Sequence, residues 1–134
     1  MSDALYQERI VALAKAKTGA GKLAAPTRSV RRDNPLCGDR VMLDVTLDGS
    51  GRIAEIAHQV RGCLLCQASA SALASVAVGR DAAGIAEIRQ QADRALGRTE
   101  GEAAAPYDAF APVKAHKSRQ DCVLLPLEAL KDAF

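Results

Sequence analysis

Asn34-Pro35-Leu36-Cys37-Gly38-Asp39 opens, and Arg61-Gly62-Cys63-Leu64-Leu65-Cys66-Gln67-Ala68-Ser69-Ala70-Ser71 closes, the stretch that decides the fold. Between them run two alternating apolar segments joined by Asp48-Gly49-Ser50-Gly51. Alternation with period two on either side of an Asp-Gly turn predicts a β-hairpin. In the first segment, residues 40–48, Val41, Leu43, Val45 and Leu47 face one way; Arg40, Met42, Asp44, Thr46 and Asp48 face the other. The return segment, 52–60, keeps Ile53, Ile56 and Val60. Its imperfect alternation predicts a bulge near 54–56. A hairpin folds its outer ends together, so Cys37 and Cys63 are expected to be neighbours. Pro35 and Gly38 make the first cysteine's loop tight and rigid. Asp39 can bring an oxygen to the same point, and a soft thiolate beside a carboxylate suits zinc or iron.

Downstream of the hairpin, an Ala/Ser-rich run over 64–78 predicts a helix. Cys63 then stands at a helix N-terminus, where free N–H groups and the helix dipole favour a thiolate. Cys66 falls one turn later on the same face, completing a Cys-x-x-Cys. A small core residue and a metal or redox thiol are equally consistent with that position. Further on, Ile85, Ile88, Ala92 and Leu96 lie on one stripe of a helix from 81 or 82 to 96. Tyr107, Phe110 and Val113 form a short helical patch after Pro106. A basic link, 115–119, leads into a final helix over about 120–133, with Leu124, Leu127, Leu130 and Ala133 on its buried face. Pro126 fits best in a first turn, so the helix proper is expected to begin near Leu124, with Cys122 at its start.

Upstream, residues 3–17 read as a packing helix with Leu5, Ile10, Leu13 and Ala14 on its apolar side, ended by Thr18-Gly19-Ala20-Gly21. A strand around 27–32 follows. Pro26 and the charges of Arg28, Arg31 and Arg32 favour an edge position for it. His58, on a strand, is expected at the surface or in a hydrogen bond rather than as a ligand. His116 is expected in solvent, although of the two histidines it is the one within reach of Cys122. The fold class is therefore α+β, a small antiparallel three-stranded sheet packed against several helices, in a single domain spanning 1–134.

The 134 residues suffice to bury a core without help from a metal. Lys and Arg number 18 against 16 Asp and Glu, a net charge of +2, and aromatic residues make up 3%. Neither figure suits a nucleic-acid binder, which needs a basic surface or stacking platforms. The apolar runs are too short to span a membrane. The first residues do not read as a signal peptide, so the expected location is the cytoplasm. In that compartment four cysteines point to metal or catalysis rather than disulfides.

Together, Asn-Pro-Leu-Cys-Gly-Asp, then Gly-Cys-x-x-x-x-Ala-Ser-Ala-Ser, then a late Cys before Leu-x-x-Leu resemble the U-type iron–sulfur scaffold family of IscU, the NifU N-terminal domain and SufU. The fold implied is SufE/NifU-like. The long interval between Cys63 and Cys122 and the Arg119-Gln120-Asp121-Cys122 approach are most similar to the SufU branch. Asp121 stands where IscU-type chains carry a histidine. The resemblance implies a cofactor-binding set of Cys37, Cys63 and Cys122, with Asp39 as the further metal ligand, for a zinc ion or an assembling iron–sulfur cluster. It implies that Cys122 accepts sulfur from the persulfide of a cysteine desulfurase, with Arg119 stabilising the anion. Cys66 replaces a small hydroxyl residue of the pattern and is an alternative ligand. The partners implied are the desulfurase and downstream apo iron–sulfur proteins or carriers. The activity implied is at most that of a sulfurtransferase-like acceptor, otherwise that of a non-enzymatic scaffold. The alternative, from another class, is a structural zinc-binding adaptor without sulfur transfer.

Overall fold

The computed structural model describes residues 3–36 and 38–134, with side chains from Glu8 onward. Cys37, expected at the outer end of the hairpin, lies outside the described residues. The chain runs α1 (Asp3–Ala16), β1 (Arg28–Asn34), β2 (Asp39–Leu47), β3 (Ile53–Arg61), α2 (Leu64–Ala77), α3 (Ala82–Ala95), a 3₁₀ segment (Tyr107–Ala115) and α4 (Lys117–Asp132).

The strands form an antiparallel sheet in the order β1-β2-β3, so the basic β1 is an edge strand as its sequence suggests. Val41, Leu43 and Val45 of the central strand pair with Val60, His58 and Ile56 of β3. These three β2 residues are at most 1% exposed and define the inner face. The register skips Ala54 between Thr46–Glu55 and Leu47–Ile53, which is the bulge the broken alternation predicts. Helices α2 and α4 lie against the inner face, α1 packs on α2, and α3 packs on the 3₁₀ segment. Small side chains allow α2 its central place: Ala68, Ala70, Ala72 and Ala77 are all buried with Leu73. Asp81 caps α3 by accepting from the Gly84 N–H at 2.9 Å.

The outer face is crossed by the chain that follows α1. The His58 N–H donates to the Gly19 carbonyl, and the Gly21 N–H donates to the His58 carbonyl, so this segment borders the free edge of β3. Leu23 N–H then donates to Asp44 Oδ2 on the outer face, and Thr27 N–H reaches the Val45 carbonyl on the β1 side.

The last helix departs from expectation. It begins at Lys117, not near Leu124, and holds Pro126 in its interior, so Cys122 occupies the second turn rather than the start. Pro126 has no N–H to offer the carbonyl of Cys122 four residues back, a loss of about 3 kcal/mol. Val123, Leu124, Leu125, Leu127 and Leu130 are all buried along the same helix. At roughly 1.5–3 kcal/mol for each large apolar side chain, their burial outweighs one lost bond. Beside the break, Ser69 of α2 donates its hydroxyl to the Val123 carbonyl.

Candidate metal centre

The site forms where the hairpin's outer end meets two helices. Asp39 begins β2 in the alternation of Val41 and Leu43, so its carboxylate faces inward and is 3% exposed. Its neighbour across β1 is Asn34, whose side chain accepts from the Leu36 N–H at 3.0 Å while its carbonyl accepts from the Gly38 N–H at 2.8 Å. Gly38 takes φ +75°, a left-handed conformation that glycine adopts without strain. These bonds hold the loop leading into Asp39.

Cys63 is the N-cap of α2, as expected from the Gly-Cys that ends the hairpin. Its N–H donates to Asp39 Oδ1 at 3.1 Å and its thiol donates to Asp39 Oδ2 at 3.4 Å. Cys122 comes from α4 and is 1% exposed. The ligand atoms of Asp39, Cys63 and Cys122 all lie within 4.8 Å of one another. Tetrahedral zinc with sulfur and oxygen ligands holds its donors about 3.3–3.8 Å apart. Cys63 Sγ and Asp39 Oδ2, 3.4 Å apart, already stand at that spacing, and no pair has more than about an ångström to close, so the set fits such an ion, and cysteine sulfurs equally suit an iron–sulfur cluster.

Arg119 precedes Cys122 by three residues on α4 and faces the same point. Its hydrogen bond to Cys63 is the main cause that raises its pKa above the ordinary arginine value, with charge interactions from Cys63 and Cys122 adding to it. A permanent cation thus stands beside the two sulfurs.

Burial distinguishes the sulfurs. Cys63 is half-buried, whereas Cys122 is nearly sealed. Cys66 is 0% exposed within the apolar core and is not among the three converging donors. His58 is buried, with Nε2 at 2.7 Å from the Thr18 carbonyl, the hydrogen-bonded role its strand position suggests. His116 is exposed at the N-cap of α4 and stands outside the three-residue group. Gly62 escaped notice in the sequence except as the end of a strand. Its signal was its place opposite Asp39 across the hairpin.

Fold and site define a class: a small α+β domain that gathers two cysteine sulfurs and a carboxylate from a hairpin end, a helix cap and the last helix. The chain belongs to the NifU-like N terminal domain family, whose model matches residues 5–133. Among solved structures it is similar to a nitrogen-fixing NifU-like protein (N-terminal) from Brucella abortus, with 28% identity and a TM-score of 0.86 over 98% of this chain and 92% of that one. It is also similar to a protein from Fervidobacterium islandicum described as a candidate iron–sulfur cluster assembly scaffold for the SUF system. That likeness has 27% identity and a TM-score of 0.87, covering 99% of this chain and 98% of the other. A bifunctional protein NifU/MnmA from Rubrobacter xylanophilus is 33% identical over 93 residues, 69% of this chain. The match spans 19% of that relative's length.

Proposed function

We propose that this protein is an iron–sulfur cluster assembly scaffold acting as one domain over 1–134, with the cluster as its cargo. The convergence of Asp39, Cys63 and Cys122 beside Arg119 is the observation that carries this reading. Cys37 supplies the further thiolate, and Cys66 remains an alternative ligand. Where zinc is the resident ion, it supplies charge that keeps the sulfurs deprotonated until sulfur arrives.

The partner is a cysteine desulfurase carrying a persulfide. A site thiolate, Cys122 in this reading, attacks the outer sulfur; a new S–S bond forms, the donor's S–S bond breaks, and the donor leaves as thiolate with no net oxidation. Arg119 holds the resulting anion. Because Cys122 is 1% exposed, transfer to it requires the half-buried Cys63 side of the site to give way. Apo iron–sulfur proteins or carriers in the cytoplasm then receive the cluster. Among the described residues no helix is long and apolar enough to cross a membrane.

Oxygen-free reconstitution with iron, cysteine and a cysteine desulfurase tests the reading. Charge-transfer absorption should develop in the parent and be lost in Cys122→Ser. Tight stoichiometric zinc with no such absorption, but with sulfur retained on the protein, would replace cluster assembly by zinc-held sulfur acceptance. Neither sulfur nor cluster on a folded parent would leave the structural adaptor.

A further inference from the structure

Asp39 and Gly62 face each other across the hairpin, one step beyond the Arg40–Arg61 pair. A Cβ built on Gly62 would stand 2.6 Å from both Cγ and Oδ1 of Asp39 and 3.0 Å from its Cβ. Non-bonded carbon and oxygen atoms do not tolerate 2.6 Å, so the carboxylate occupies the space that any side chain at 62 would take. The conflict is one of space alone, since Gly62 is not among the residues with positive φ. From that space the carboxylate does two things: Oδ1 accepts from the Cys63 N–H, and Oδ2 lies 3.4 Å from the Cys63 sulfur. An inward-facing carboxylate cannot retreat cheaply, because Asp39 is 3% exposed and follows the inner-face alternation of β2.

We infer that Gly62 is a positioning residue for the metal centre: its missing side chain is what admits the Asp39 carboxylate to the two sulfurs. It touches no cargo and acts through Asp39. The inference rests on the metal-binding reading for its consequence, but its geometry concerns the metal-free protein as well.

The test compares Gly62→Ala, Asp39→Ala and the double variant. In the metal-free proteins, amide exchange at Cys63 reports whether the carboxylate still accepts its N–H. Cobalt and zinc titrations, followed by the cobalt–thiolate absorption, report the centre. Exchange at Cys63 should quicken in both Gly62→Ala and Asp39→Ala. Metal affinity should fall by about 10- to 100-fold in Gly62→Ala, the range known for residues that orient ligands, and by at least as much in Asp39→Ala, which loses the ligand itself. The double variant should be about as weak as Asp39→Ala alone, since the methyl at 62 then meets only the Cβ of residue 39, at 3.0 Å, and no carboxylate. If Gly62→Ala fails to fold, recovery of the fold in the double variant supports the inference. Parent-like exchange in Gly62→Ala, additive losses of affinity, or a double variant that also fails to fold would overturn it. A parent that binds no metal would sink the proposed function and leave the exchange result standing.

Discussion

Tyr107 carries a hydroxyl that is fully buried and has no hydrogen-bond partner among the described residues. Burial alone pushes its pKa above the ordinary phenol value, which marks how poorly its surroundings solvate charge. A buried unsatisfied hydroxyl costs about 1–3 kcal/mol. Tyr107→Phe keeps the ring beside Phe110 and removes that cost, so the melting temperature should rise, and a fall would show a partner that the present geometry lacks. His58 makes the opposite kind of statement. Burial is the larger effect and lowers its pKa below 6.5, while the bond to the Thr18 carbonyl opposes the shift. The adjoining cavity has Lys17 as its charged lining residue, with no carboxylate to favour an imidazolium. The unfolded chain therefore takes up the proton first. Stability is full above about pH 6.5 and declines as pH falls through the folded value. Denaturant titrations at neutral pH and about pH 5 should show this loss, and His58→Gln, which can still donate to Thr18, should shrink it. An unchanged pH slope in that variant would refute the assignment.

The segment after α1 shows how one short stretch secures two neighbours. Gly19 at φ +78° passes so close to α2 that a Cβ would stand 2.6 Å from the Ala74 Cβ, while its carbonyl binds the β3 edge. Gly19→Ala meets both a left-handed backbone and a rigid contact. It should cost about 2 kcal/mol or more and expose the edge of β3, seen as a lower melting temperature and faster amide exchange at His58. Equal stability would mean that the strap is free to shift. This crossing was illegible in the sequence, where Thr18-Gly19-Ala20-Gly21 reads only as a helix stop. The hairpin was legible because alternation and an Asp-Gly turn are local signals, and so was Cys63 at a helix cap, since Gly-Cys before an Ala/Ser run is local too. The start of α4 was misread because Pro126 is a strong local breaker, and nothing local says that five buried apolar neighbours override it. Asp39 and Cys122 could be named as a pair only through family likeness. No periodicity in the chain predicts that a β2 residue meets the second turn of a helix more than eighty residues later.

A protein with the proposed scaffold function must survive its own empty state, because it gives its cargo away. Here the largest fully buried side chains, among them Leu43, Ile53, Leu73, Leu96, Phe110 and Leu130, come from the sheet, α2, the 3₁₀ segment, α4 and the C-cap of α3. They form a continuous core, while the metal centre sits where a hairpin end meets a helix cap. A chain of this size buries roughly 65–70% of its unfolded surface, enough to fold without an ion. Removing the metal with a chelator should therefore leave the helical circular dichroism intact. The melting temperature should fall, because an ion that binds only the folded state stabilises it by about 2.7 kcal/mol at a hundredfold excess over Kd. At about 3–5 °C per kcal/mol for a domain of this length, that is a drop of roughly 10 °C, restored step by step as zinc is titrated back. Collapse of the helical signal on chelation would describe a different molecule: one whose metal is structural, which could not release its cargo and remain ready for the next.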